Sequence, residues 1–207
     1  MIHIVDYGLG NVQAFANMYK RLGIDACLAS TPVMLEHADR IILPGVGAFD
    51  HAVTLLEQSG MRPILQQLVV RQKVPLLGIC VGMQILANGS DEGQLPGLGW
   101  IPGRVRSFAA NPDSAQLPMP HMGWNDVSPA KPSPLFRGLE AAARFYFLHS
   151  FYFETAAVSE TLARTDYGMS FSCSVRAGNI YGIQCHPEKS HHWGTQLLKN
   201  FAEADLC

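Results

Sequence analysis

The sharpest chemical signal in the chain is Leu77-Gly78-Ile79-Cys80-Val81-Gly82-Met83-Gln84, an apolar strand that runs into Gly-x-Cys-x-Gly and then a helix. This is the cysteine form of a nucleophile elbow: side chains two positions either side of the strained central residue would collide, and the thiol is held above the sheet at a helix N-terminus. A helix N-terminus and a nearby imidazole both favour a thiolate at such a position. A buried cysteine with incidental glycines has the same local pattern, so the chemistry needs a base. Gln184-Cys185-His186-Pro187-Glu188 supplies a candidate. A strand over 180–185 delivers His186 to a sheet edge, Pro187 stops the pairing, and Glu188 can turn back to orient the imidazole. Alone, this segment also fits a surface His-Pro turn with a solvated acid. A tetrahedral intermediate needs oxyanion donors as well. The backbone N–H of Val81, directly after the nucleophile, is one, and the loop Pro44-Gly45-Val46-Gly47 at the end of another strand offers the second through Gly45, Val46 or Gly47. That loop also reads as an ordinary βα turn.

The elements that must position these groups alternate in the first half. Strands are predicted over 2–6, 25–30, 40–43 and 74–79, with helices over 12–22, 49–57 and 62–72 between them and Gly23 closing the first helix. That alternation marks βαβ units and an α/β fold with an open, mostly parallel central sheet covered by helices. The second half reads as a smaller antiparallel layer. It comprises short β-prone pieces within 95–108 and 117–127, an exposed loop over 111–120, strands over 145–153, 161–167, 171–176 and 180–185, and a turn at Ala177-Gly178-Asn179. A helix over 195–204 closes the chain, and no internal repeat or linker divides it.

Composition bounds the function. With 207 residues, 48% hydrophobic, 15% charged and a net charge of −2, the chain can bury a real core and lacks the excess cation of a nucleic-acid binder. Its richest apolar stretch, 74–87, is interrupted by Gly78, Gly82 and Gln84, too short for a membrane span, and the start reads as a strand without a leader, so a cytoplasmic protein is expected. Five cysteines (Cys27, Cys80, Cys173, Cys185, Cys207) show no metal spacing and read as free thiols. His191-His192 lack a third ligand at suitable spacing, so neither a metal nor another cofactor is expected.

Together, Pro-Gly-Val-Gly at 44–47, Gly-Ile-Cys-Val-Gly-Met-Gln at 78–84 and Gln-Cys-His-Pro-Glu-Lys-Ser at 184–190 resemble the class I (triad) glutamine amidotransferases. Within that family, Asp6-Tyr7-Gly8-Leu9-Gly10-Asn11, Pro120-His121-Met122-Gly123-Trp124-Asn125 and Phe147-Leu148-His149-Ser150 resemble the glutaminase subunits of imidazole glycerol phosphate synthase. The resemblance implies one amidotransferase domain over 1–207 that hydrolyses glutamine, with Cys80 attacking the side-chain amide, His186 moving the proton and Glu188 orienting His186. It further implies that Gln84 and Glu92 hold the α-carboxylate and α-amino ends of glutamine, assisted by the backbone near Ser150 and Phe151. Many relatives have Tyr where Phe151 stands and Phe where Cys185 stands. Ammonia would pass to a cyclase partner, a (β/α)₈ barrel bound as a heterodimer through Asn11, Trp124, Tyr146 and Lys189. Neither nucleic acid nor membrane is an expected partner.

Three other readings remain open at this point. The 189–194 and 11–17 segments also resemble paralogues that supply ammonia for amidino or amino sugars of surface glycans. A non-catalytic binding subunit would keep the fold without needing all three of Cys80, His186 and Glu188. A cysteine peptidase or esterase would share the nucleophile and base.

Overall fold

A computed structural model describes residues 1–206; Cys207, read above as a free thiol, lies outside them. The first half follows the alternating pattern. Strands β1 (Ile2–Val5), β2 (Ala26–Ala29), β3 (Arg40–Gly45) and β4 (Leu76–Cys80) are separated by helices α1 (Val12–Leu22), α2 (Phe49–Gln58) and α3 (Arg62–Leu65). Every residue of β1 and β4 is buried, as expected of strands covered on both faces. Helix α1 ends at Gly23, which adopts φ 68° and donates its N–H to the Lys20 carbonyl. The predicted 62–72 helix is in fact two pieces. After α3 the chain widens into a π turn over Gln66–Arg71, with Gln72 N–H bonded to the Gln67 carbonyl.

The second half contributes α4 (Val81–Gln84), β5 (Gly103–Ser107), β6 (His121–Pro129), β7 (Ala143–His149), β8 (Phe151–Thr155), β9 (Thr161–Tyr167), β10 (Met169–Ala177), β11 (Ile180–Ile183) and α5 (His191–Glu203). Several boundaries correct the sequence reading. Only 103–107 of the 95–108 stretch is a strand, the 145–153 piece breaks at Ser150 into β7 and β8, and α5 begins at His191 rather than residue 195. The 111–120 loop is not wholly exposed, because Ser114 is buried with its hydroxyl donating to the Phe108 carbonyl.

Five strands in the order β2-β1-β3-β4-β11 run parallel. Strand β11 then pairs antiparallel with β10, and β9, β6 and β7 extend the same sheet, while β8 and β5 branch from β10. The antiparallel strands are thus a hydrogen-bonded continuation of the parallel sheet rather than a separate layer. Helix α5 packs against α1, where the Tyr19 hydroxyl donates to the Leu198 carbonyl. No helix among the described residues is long and apolar enough to cross a membrane.

Candidate active site

Register places the site. Strands β3, β4 and β11 are parallel neighbours with Gly45 opposite Cys80 and both Pro44 and Ile183 opposite Ile79, so their carboxyl ends form one rim. Cys80 turns the chain with φ 55° and ψ −115°, a strained conformation for a residue with a side chain. The flanking glycines are a steric necessity. A Cβ on Gly78 would lie 2.6 Å from the Gly82 carbonyl oxygen, and one on Gly82 would overlap the Leu43 carbonyl of β3. Helix α4 lasts only four residues, so its aligned dipole is small and the free N–H groups of its first turn, beginning with Val81, are what it offers an anion.

Beyond β11, His186 turns its ring toward this rim. Its Nδ1 lies 2.9 Å from Oε1 of Glu188, and the two side chains are 6% and 5% exposed. Burial disfavours the imidazolium, but the Cys80 thiol and the Glu188 carboxylate outweigh it and hold the His186 pKa well above the ordinary imidazole value. Nε2, on the other side of the ring, is buried without a hydrogen-bond partner. The base turn is fastened to β7: His186 N–H donates to the Tyr146 carbonyl, Tyr146 N–H donates to Ser190 Oγ, and that hydroxyl donates to the His186 carbonyl.

Cys80 and His186 line a cavity of about 300 Å³ with Val46, Gly47, Val81, Gln84, Glu92, His149, Ser150 and Phe151. Nearly every residue named for catalysis, oxyanion binding or glutamine binding is here. Glu188 stands behind His186, and Gly45 packs behind the rim, where a Cβ would lie 2.6 Å from Gly82 N. Glu92 is more than a loop charge, since its Oε2 accepts Phe49 N–H at the start of α2, 2.9 Å away. Asp50, one residue on, fixes the same loop by accepting from Gln94 and Leu95 N–H groups. Gln84 donates from Nε2 to the Phe151 carbonyl at 3.3 Å and to Gln184 Oε1 at 3.0 Å.

A model of the family described as glutamine amidotransferase class-I matches residues 3–204. The chain belongs to the class-I glutamine amidotransferases. Two curated relatives carry the name imidazole glycerol phosphate synthase subunit HisH. The protein of Bdellovibrio bacteriovorus is 63% identical, covering 98% of this chain and all of its own, and that of Leptospira interrogans is 48% identical, covering 98% and 99%. A crystal structure titled glutamine amidotransferase shares the fold with a TM-score of 0.71 at 21% identity, over 96% of this chain and 98% of its own.

In this amidotransferase, three of the four residues assigned to a partner surface come together. Trp124 is 40% exposed rather than a core aromatic, its ring meets Tyr146 edge-on at 6.2 Å, and Lys189 Nζ lies 5.7 Å from the Tyr146 ring. Asn11 stands outside this cluster, exposed at the start of α1. His191, weighed above as a metal ligand, stacks on Trp124 at 5.2 Å and 6°, and His192 lies against Trp193. Sequence reasoning missed Gln184. It is fully buried, its Nε2 lies 3.7 Å from Cys80 Sγ, and its Oε1 accepts from Gln84. The available signal was an amide where the pattern of a buried strand asks for an apolar side chain. Cys185 faces the core, where burial pushes its thiol well above the ordinary value and leaves it inert.

Proposed function

We propose that this chain is the glutaminase subunit of an imidazole glycerol phosphate synthase, a single amidotransferase domain over 1–207 acting in histidine biosynthesis. The observation that carries the reading is Cys80 and the His186–Glu188 pair meeting at one cavity whose other walls are Gln84, Glu92, Ser150 and Phe151. The Cys80 thiol gives its proton to His186, and its sulfur attacks the side-chain carbonyl carbon of glutamine. The oxyanion is received by Val81 N–H and the 45–47 backbone. His186 gives a proton to the leaving nitrogen, which departs as ammonia, and then takes one from the water that cleaves the glutamyl thioester to glutamate. Glu188 holds the ring in place through both steps. The Phe151 carbonyl and Gln184 Oε1 use both Gln84 N–H groups, so the Gln84 amide oxygen is left to accept from the α-ammonium of glutamine rather than to hold the α-carboxylate expected from the resemblance. Ammonia passes to a (β/α)₈ cyclase docked over Trp124, Tyr146, Lys189 and Asn11, since escape to neutral water would protonate it. The name shared by the relatives favours this branch over the surface-sugar paralogues.

The experiment is an assay of the complex with the cyclase. Cys80→Ala is expected to lower glutamine-driven product formation by at least about 10³-fold while ammonia-driven formation persists. Diazo-oxo-norleucine should label Cys80, with protection by glutamine and none by peptides. Retained glutaminase activity in the variant, or protection by peptides, would overturn the assignment.

A further inference from the structure

The antiparallel half buries two histidines that the chemistry above does not use. His121 of β6 and His149 of β7 face each other in register, with Nδ1 of His121 2.9 Å from Nε2 of His149. The ends of the chain they form dictate where its protons are. At one end the Phe151 carbonyl, 2.7 Å from His149 Nδ1, can only accept, so that nitrogen carries the proton. At the other end the Asn125 amide oxygen accepts Asp126 N–H at 2.9 Å. Its amide nitrogen therefore points the other way, donating to the Asp166 carbonyl at 2.7 Å and to His121 Nε2 at 3.3 Å. His121 must then be protonated on Nδ1 and donate to His149. One arrangement satisfies every partner, and in it both rings are neutral. Burial agrees, lowering His121 to about 4 and, against the opposing effect of the Phe151 bond, His149 to about 3.

The relay ends where the substrate pocket begins. The Phe151 carbonyl that receives His149 also receives Gln84, which in turn holds Gln184 against the Cys80 sulfur. We propose that His121, acting through His149, is a positioning residue for glutamine hydrolysis: it fixes the Phe151 carbonyl, which orients the Gln84 amide that receives the backbone end of glutamine, and ties both to the strand carrying Trp124. The inference rests on the glutaminase reading above. It assigns His121 to substrate capture and not to the bond-making steps, because the relay touches the sulfur only through two further amides.

His121→Phe isolates the hydrogen bonds. The ring sits between Phe147 at 5.0 Å and 18° and Tyr167 at 4.2 Å and 22°, so phenylalanine keeps the stack and loses only the donor and acceptor. In the complex with the cyclase, this variant is expected to raise KM for glutamine about tenfold, the loss of roughly one buried hydrogen bond. Its kcat should stay within about threefold of wild type, with ammonia-driven turnover unchanged. An unchanged KM, or a fall in kcat at constant KM, would overturn the proposal. Long-range proton–nitrogen spectra of the unmodified complex at pH 7 test the relay without a substitution. Both rings should be neutral and protonated on Nδ1, and an imidazolium or an Nε2-protonated His149 would refute it. A wild-type complex inert towards glutamine would defeat the glutaminase reading and this proposal together, and the spectra would still report on the relay itself.

Discussion

The parallel half buries β1, β3, β4 and β11 among apolar side chains and positions its chemistry by backbone geometry, through glycines at 45, 78 and 82 that let strand and elbow touch. The antiparallel extension buries His121, His149, Thr161, Thr165, Ser172 and Ser174, and positions its groups by side-chain hydrogen bonds, such as Thr161 Oγ1 to Ser172 Oγ at 2.8 Å. One region excludes alternatives sterically and the other satisfies directional donors and acceptors. Cys80 ends and His186 follows a strand of the first, and Phe151 and Trp124 lie on the second. Steric exclusion and directional hydrogen bonding thereby share one continuous sheet.

Glycine substitutions test the contrast most severely. Gly82→Ala drives a methyl into the Leu43 carbonyl and should cost more than about 4 kcal/mol in denaturant unfolding. Gly123→Ala, in the antiparallel half, has φ 129° but open space around it, and should cost only about 1–2 kcal/mol. Equal losses would erase the distinction. Glu188→Gln keeps the shape but weakens the hold on His186, and should lower kcat by about 10²–10³-fold in the glutaminase assay. The same variant has a pH signature. A folded pKa of His186 raised to about 10 contributes stability that is complete below about pH 6.5 and fades as pH climbs through about 10. The gap in unfolding midpoint between wild type and Glu188→Gln should therefore narrow from pH 6.5 to 10. Trp124→Ala should weaken the partner's Kd about 30-fold, near 2 kcal/mol, by titration calorimetry, with Tm unchanged. Thr161→Val, which orphans the Ser172 hydroxyl, should cost about 1–2 kcal/mol in the same unfolding assay.

Much of the parallel half was legible because its signals are local. Glycine spacing around Cys80 announces a strained turn, and buried strands alternating with amphipathic helices announce their own topology. His186 and Glu188 were legible only alongside the Cys80 elbow, because the His-Pro-Glu segment alone also fits a surface turn with a solvated acid. Less could be read where geometry depends on distant partners. Nothing near Ser150 marks the break between β7 and β8, and while the turn at 177–179 announces β10 against β11, nothing near β10 says that it also pairs with β8. The His121–His149 pairing needs a register between strands nearly thirty residues apart. Gln184 was visible only as part of a motif, because its two contacts, Gln84 and Cys80, lie about a hundred positions upstream.

The bond from His186 N–H to the Tyr146 carbonyl has an evolutionary corollary. A slip of β7 by one residue would move that carbonyl about 3.3 Å and break the bond that fastens the His186 turn. If the proposed chemistry holds, substitutions that loosen that strand would lower turnover even where they spare every group in the cavity, and the β7 face that carries Tyr146 would be constrained from within the chain.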